Sequence, residues 1–413
     1  MKSESRLLWT MGAFGFASGL PLSLTAFTLQ LWFTSFGLSV HAIGMTAMLG
    51  LPYTLKFLWS GLFDRPPPGT TLRGFGRRRG WLLAVQPLLA ASAAALALSD
   101  PRHAPALTIC AALTMAFLSA SQDVLIDAWR IEIFPQRLQG AALAVYIWGY
   151  RGAMVTSTSG ALWLASVAGW RIALLAMAAL LAAGTLLTLF APAPSVQPAT
   201  ILPGWRAGVR LAFLAPLRDF LGRQGATAVL AFVILFRLGK VFADQSAAAL
   251  YRYGLHFSPA AIGSANFFGT VGLLAGAGAG GWLVLRLGML RALLVTGLFQ
   301  AASLGLYLVL LAYPNQAMLT AKIVLESFAG SAADMAFLTY VSALCSRAYT
   351  ATQYALLSSL AAVAFHTLGG LSGYAAEALG YRAFYAASVL ASLPALVLLW
   401  HLGRKSAHPP HAA

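Results

Sequence analysis

The sequence predicts an all-α membrane protein of twelve transmembrane helices arranged as two six-helix pseudo-repeats. Three observations carry that expectation. Side chains are 59% hydrophobic and only 9% charged across 413 residues, whereas a typical globular chain is about a quarter charged. The apolar residues gather in long blocks, and a bilayer core about 30 Å thick takes roughly 20 of them per helix. The two halves of the chain repeat the same short motifs at an offset of about 211 residues.

Blocks bounded by turn residues are expected at about 8–35, 42–63, 81–99, 105–128, 138–164, 171–191, 227–252, 258–285, 291–312, 317–344, 353–377 and 383–402. The first begins near Leu7 and is too long for a cleaved signal peptide, so it is expected to stay as a span. Twelve crossings return both termini to one side. Of the 27 lysines and arginines, 18 fall in loops on the side of the N-terminus, 4 (Arg102, Arg171, Arg252, Arg382) on the other side, and 5 inside spans. Basic loops resist translocation, which places both termini in the cytoplasm. The same asymmetry accounts for the net charge of +16 and argues against a nucleic-acid partner. Cys110 and Cys345 sit in apolar stretches and are expected as small buried hydrophobes without a structural disulfide.

The longest hydrophilic connection, about 193–224, holds four prolines. It divides the chain into an N-terminal six-helix bundle (1–191), a cytoplasmic linker (192–226), a C-terminal six-helix bundle (227–405) and a cytoplasmic tail (406–413). Ser159-Gly160 followed by Gly169-Trp170-Arg171 recurs as Ser372-Gly373 followed by Gly380-Tyr381-Arg382. The loop after span two ends in Gly76-Arg77-Arg78-Arg79, and the loop after span eight reads Gly281…Arg286-Leu287-Gly288…Arg291. Two six-helix repeats joined by a cytoplasmic loop is the layout of the major facilitator transporters.

Ten ionisable groups lie within or at the ends of spans: Lys56, Asp123, Asp127, Arg151, Arg237, Lys240, Asp244, Lys322, Glu326 and Asp334. Each costs roughly 2.5–3.5 kcal/mol at a lipid-facing helix centre. Together that exceeds the usual net stability of a folded domain, so most must face a polar path, pair, or reach an interface. Asp123 and Asp127 are four apart on one face of span four, and two carboxylates that close do not both ionise comfortably. A carboxylate that loads and releases a proton is what a proton-coupled carrier needs. Asp123, beside Gln122, is a candidate for the path. Asp127 has the alternative of pairing with Arg130 or with the Arg77–Arg79 cluster. Arg151, between Tyr150 and Gly152 on span five, offers a donor fork suited to a cargo carboxylate, or serves as the partner of Asp123. Gln122, Tyr150 and Trp148 are further candidates for the cargo path, Trp148 as a stacking surface or else a membrane-interface anchor.

In the second half, Arg237, Lys240 and Asp244 share one side of span seven. Lys322 and Glu326 form an i,i+4 pair in the weaker orientation for helix support, which favours a cross-helix or path role. Asp334 has no local partner and is a functional candidate by default, with Arg237 or Lys240 as its alternative neutralisers. His366 on span eleven is either a proton shuttle or a helix–helix hydrogen-bond donor. Proton-coupling candidates are therefore Asp123, Asp127, Asp334 and Glu326. Asp64, Arg65, Arg77, Arg78 and Arg79 are candidates for a cytoplasmic gate, an acid and nearby arginines bridging helices that part during transport. Gly19-Leu20-Pro21 in span one is expected to kink or break it. No metal site and no cofactor beyond protons as coupling ion are expected. His-Glu-x-x-His, Gly-x-Gly-Asp and His-x4-Asp patterns are absent from the sequence, and the loops are too short for a catalytic domain, which argues against a membrane enzyme.

Several segments resemble the AmpG-type muropeptide permeases of the major facilitator superfamily. They are Gly15-Phe16-Ala17-Ser18-Gly19-Leu20-Pro21-Leu22, Lys56-Phe57-Leu58-Trp59 with Asp64-Arg65, Gly76-Arg77-Arg78-Arg79-Gly80-Trp81, and Ser119-Ala120-Ser121-Gln122-Asp123 with Asp127-Ala128-Trp129. Gly149-Tyr150-Arg151, Ala215-Pro216-Leu217-Arg218-Asp219-Phe220 and Ala351-Thr352-Gln353-Tyr354-Ala355-Leu356-Leu357-Ser358 continue the likeness. It implies an inner-membrane, proton-driven importer of anhydromuropeptides, the GlcNAc-anhydroMurNAc fragments of cell-wall turnover, working as a monomer. The second half departs from the family pattern, with Leu238-Gly239-Lys240 where Leu-Gly-Asp is usual. Ferric siderophores, carried by close relatives of this group, are the alternative cargo.

Overall fold

The computed structural model describes residues 2–29, 32, 49–194, 215–223, 225–369 and 372–406, and among them every regular element is helical. Span one is the helix Lys2–Ser23 continued by a π-helical turn, Leu24–Thr28. The described part of span two is Leu51–Leu55 and Phe57–Ser60. Spans three and four are Arg77–Leu98 and Pro105–Ile133. Span five is Gln139–Val155, a second π turn at Thr156–Gly160, and Ala161–Ala168; span six is Trp170–Phe190. Span seven, Ala226–Ala249, again ends in a π turn, Leu250–Gly254. Spans eight to ten are Pro259–Leu287, Met289–Ala312 (in two helical pieces) and Gln316–Leu344. Span eleven starts with Thr350–Gly369, and span twelve occupies the part of Ser372–Ser406 beyond Gly380. Among the described residues, seven helices are long and apolar enough by themselves to cross a membrane.

Helix starts follow local chemistry. Proline stands in the first turn of spans four and eight, where its missing N–H is no loss. Ser258 caps span eight, its Oγ accepting from the Ala261 N–H at 3.1 Å. The repeat read in the sequence is also a repeat of backbone geometry. Gly169, between spans five and six, and Gly380, between eleven and twelve, have φ of 86° and 71°. A side chain strongly disfavours that region, so each pair of helices meets at a one-residue corner that requires glycine.

The chain packs as two compact units: Met1–Pro135, Val145–Arg218 and Cys345–Ser359 form one, and Gln136–Ala144, Asp219–Leu344 and Leu360–Ala413 the other. The first residues of span five thus pack with the second unit, and the start of span eleven with the first. Both cysteines are free thiols; Cys110 is exposed, where burial was expected, and Cys345 is half-buried. A thiol on the outer face of an apolar helix needs no polar partner, so lipid-facing exposure is tolerated.

Within the first unit, span one lies against span five with backbone touching backbone. A Cβ on Gly15 or Gly19 would collide with the carbonyls of Tyr146 and Tyr150, and one on Gly149 with that of Gly12. In the second unit, Gly272, Gly276 and Gly280 of span eight sit on the carbonyls of Val324, Phe328 and Ala332 of span ten. In a lipid environment such close approach supplies the van der Waals contact that holds helices together.

Span one does not break at Pro21. The helix runs on to Ser23 and widens into the π turn just after it. Proline at position 21 has no N–H for the Ala17 carbonyl four residues back. That oxygen accepts instead from the Gln122 side chain of span four, Nε2 at 2.9 Å. The π turn is tied in the same way, Thr28 Oγ1 donating to the Ser157 carbonyl at 2.6 Å, a residue of the π turn in span five. Irregular backbone at membrane depth is thus satisfied by neighbouring helices rather than by a kink.

Candidate transport site

In the first unit the polar groups converge on Asp123. It is 8% exposed, and its Oδ1 is buried without a hydrogen-bond partner among the described residues. Lys56 and Asp127 are the charges acting on it, and it acts in turn on Tyr53, Tyr146 and Tyr150. The glycine contacts between spans one and five bring these last two tyrosines in, because they set the backbone of residues 146 and 150 directly against span one. Tyr53 is held from span four by its hydroxyl donating to Ser119 Oγ at 2.7 Å, and Trp59 Nε1 donates to Ser121 Oγ at 2.9 Å. Asp127 is paired with Arg130 at 3.3 Å, one of the two alternatives the sequence offers. Gln122 is buried and committed to Ala17, which makes it a support of span one at this site.

Arg151 has no ion-pair partner among the described residues and reaches only Met154 Sδ, at 3.5 Å. The alternative that it neutralises Asp123 therefore does not describe this structure. A guanidinium in mid-span with an unfilled fork, close enough to Tyr150 to act on it, is suited to an anionic cargo group. Trp148 is half exposed.

The charges of the second unit are paired. Arg237 holds Asp334 at 2.7 Å, and Lys240 holds Asp244 at 2.7 Å. The Arg237 guanidinium also lies over the Phe337 ring, 5.9 Å from its centroid. Lys322 and Glu326 are paired and fully packed away. Lys322 Nζ donates to the Tyr251 hydroxyl at 2.6 Å and stands 3.2 Å from the Tyr307 ring centroid. Tyr385 stacks on the other side of Tyr307 with centroids 4.0 Å apart. The pair thus has cross-helix partners on spans seven and nine, in line with the orientation argument. The side chain of His366 lies outside the described residues.

At the end of the first unit that holds the Arg77–Arg79 loop, Arg77 and Arg78 bind Glu132 and Asp64. Arg78 Nη2 reaches Asp64 Oδ1 at 2.8 Å, Arg77 Nη2 reaches Glu132 Oε1 at 2.9 Å, and Arg78 is also paired with Glu132. Asp64 accepts from the Ala351 and Thr352 N–H groups at 3.1 and 2.9 Å and from the Thr352 hydroxyl at 2.6 Å. These are orphan donors of the first turn of span eleven, and a carboxylate there is favoured by the helix dipole as well. Arg79 instead binds the carbonyls of Thr188 and Leu189 at the end of span six. Arg65 makes no side-chain bond among the described residues.

Sequence reasoning named Tyr150 and passed over Glu132, Thr352, Tyr53 and Tyr146. Glu132 carried a usable signal: it is one of only 11 acidic residues and stands at the end of span four on the side of the Arg77–Arg79 loop. Tyr53 and Tyr146 carried none, since an apolar span accommodates them for packing alone.

The Gln122 assignment makes a direct prediction. Gln122→Leu leaves the Ala17 carbonyl buried without a donor, which costs about 1–3 kcal/mol and lowers the thermal unfolding midpoint in detergent. Pro21→Ala in the same chain restores a backbone donor and recovers most of the loss; equal midpoints with and without Pro21→Ala would refute the assignment.

A bundle of membrane-spanning helices in two repeated halves, with polar and charged groups lining their interior, defines a membrane carrier. Residues 11–304 match the Major Facilitator Superfamily. The anhydromuropeptide permease of Escherichia coli K12 is 40% identical over 93% of this chain and 77% of its own length. A Rickettsia felis protein named putative transporter AmpG 4 is 30% identical over 95% of both chains. The chain belongs to the AmpG permease family of the major facilitator superfamily. Among solved structures, a bacterial homologue of the iron transporter ferroportin in its outward-facing state superposes with a TM-score of 0.69, covering 96% of this chain and 99% of that one at 14% identity. The human organic anion transporter MFSD10 gives 0.69 over 96% and 99% at 17% identity. At that identity these two speak for the fold alone.

Proposed function

We propose that this protein imports anhydromuropeptides, GlcNAc-anhydroMurNAc and its peptides, across the bacterial inner membrane by alternating access, each cargo entering with one or more protons. Both termini are cytoplasmic in this reading, as the distribution of basic loop residues requires, and the working unit is a monomer. The observation that carries the cargo assignment is the 40% identity over 93% of the chain with a permease of that name. The coupling assignment rests on Asp123, whose buried Oδ1 lacks a hydrogen-bond partner among the described residues and is placed to take a proton. Arg151, with its fork open, is assigned to a cargo carboxylate.

The test is uptake by the purified protein in proteoliposomes, with labelled GlcNAc-anhydroMurNAc peptide and a labelled ferric siderophore, with and without an imposed proton gradient. Gradient-dependent uptake of the muropeptide alone is expected. Uptake of the siderophore alone would overturn the cargo, and muropeptide uptake indifferent to the gradient would overturn the coupling.

A further inference from the structure

The three ion pairs of the second unit differ in one respect that their chemistry does not require. Lys322 and Glu326 have side chains 1% and 10% exposed, whereas Lys240 and Asp244 are 21% and 37% exposed, and Arg237 and Asp334 36% and 25%. All lie well inside spans seven and ten. Charges opened to hydrocarbon at that depth are costly, so exposed ones are stable only where water reaches them. The Lys322 pair is sealed structure; the other two are accessible from an aqueous path.

Of the accessible pairs, one is built to exchange. Arg237 is pinned by Asp334 and by the Phe337 ring. Lys240 lies across Gly330 of span ten, where a Cβ would stand 2.9 Å from its Cε and 3.3 Å from its Nζ. The ammonium therefore rests on bare backbone and donates to the Asp244 carboxylate. We propose that Lys240 is a carboxylate-binding subsite for the cargo, with Asp244 as its stand-in anion when no cargo is bound.

The charge balance makes the exchange a coupled one. Arg237, Lys240 and Lys322 are matched by Asp244, Glu326 and Asp334, so this network is neutral. Besides Lys240, the groups facing Asp244 are Lys322 and Glu326 from span ten, Tyr251 from its own span, Tyr307 from span nine and Tyr385 from span twelve; Asp334 faces Lys240. When a cargo carboxylate takes the Lys240 ammonium, the Lys240–Asp244 pair breaks and Asp244 is left as an unmatched anion. A proton from water onto Asp244 Oδ2 restores neutrality. One anionic group and one proton thus load together, and no covalent bond in the cargo changes. This rests on the proposed function, deepening it to a requirement that the cargo carry a carboxylate.

The experiment compares proteoliposome uptake of GlcNAc-anhydroMurNAc, whose lactyl group is a free acid, with that of its neutral lactyl amide. The wild type is expected to prefer the acid by about tenfold, the size of one charge-assisted hydrogen bond. Lys240→Gln is expected to abolish that preference, acid and amide entering at equal rates, and Lys240→Arg to keep the preference. Asp244→Asn is expected to take up the acid with one proton fewer per molecule. If Lys240→Gln loses both probes, the charge-balanced double variant Lys240→Gln/Asp244→Asn decides: recovery of the amide alone supports the subsite, and recovery of neither overturns it. A wild type indifferent to acid or amide, or a Lys240→Gln variant that keeps the preference, overturns the subsite and leaves muropeptide import standing. Uptake of neither probe by the wild type sinks the proposed function, and the subsite with it.

Discussion

Asp123→Asn is expected to abolish accumulation of cargo driven by the membrane potential while leaving exchange of cargo across the membrane intact. The amide has the shape of the carboxylic acid and no charge, so it imitates the proton-loaded state permanently. A carrier locked in that state still cycles with cargo bound, but it no longer carries the Asp123 proton. A 100 mV potential supplies about 2.3 kcal/mol per charge, equivalent to roughly 50-fold accumulation for one net positive charge moved per cargo. The variant should fall from that ratio to equilibrium, with counterflow of labelled against unlabelled cargo near the wild-type rate. Loss of both activities together would assign Asp123 to cargo binding or to folding, and retention of accumulation would remove it from coupling. Asp127→Asn is the contrasting variant. Asp127 already has Arg130 at 3.3 Å, so its loss removes the carboxylate paired with a fully buried guanidinium and should weaken the fold more than the coupling.

Arg78→Ala is expected to destabilise the protein most. The Arg78 side chain has no exposed surface and is bound to Glu132, to Asp64 and to the Phe63 carbonyl. Deleting it leaves Glu132 with Arg77 and the buried Asp64 carboxylate without its ion-pair partner, and breaking a buried ion pair from one side costs about 3–5 kcal/mol. The damage extends to span eleven, since Asp64 loses the cation that holds it beneath the Ala351 and Thr352 N–H groups. Arg78→Lys should recover little, because an ammonium lacks the planar fork that reaches both carboxylates. Arg65→Ala, at a side chain without such bonds, should leave the unfolding midpoint within about 0.5 kcal/mol of wild type. Thermal unfolding in detergent ranks the three. Near-equal midpoints for Arg78→Ala and Arg65→Ala would mean that the cluster contributes orientation by positive charge and nothing to the fold.

The chain advertises its helices and its charges, and conceals which charges are spoken for. Spacing alone placed Asp123 and Asp127 on one face of span four, and Arg237, Lys240 and Asp244 on one side of span seven. The pairing of Lys322 with Glu326 was legible for the same reason, since residues four apart on a helix are neighbours whatever surrounds them. Arg151 illustrates the limit. Two roles remained open from sequence, because its partner had to come from another helix, and the structure shows its fork without a carboxylate. Asp64 and Thr352 meet across 288 residues, a separation at which spacing carries no information. Gln122 looked like a path residue because a polar side chain in a membrane span demands a partner. The partner turned out to be a carbonyl freed by a proline on a different span.

What the sequence by itself determined is the number of spans and the orientation to expect, the twofold repeat and the inventory of intramembrane ionisable groups. Those follow from local physics: a lipid core admits about 20 apolar residues per crossing, basic loops stay behind, and the corners at Gly169 and Gly380 need a residue without a Cβ. Tertiary structure alone decided which groups are satisfied and which are left available. That outcome depends on helix contacts a few ångströms across, such as Gly15 and Gly19 beneath the carbonyls of Tyr146 and Tyr150. A buried polar group in a membrane must find its hydrogen bond inside the protein, and only the packed bundle settles where each one finds it.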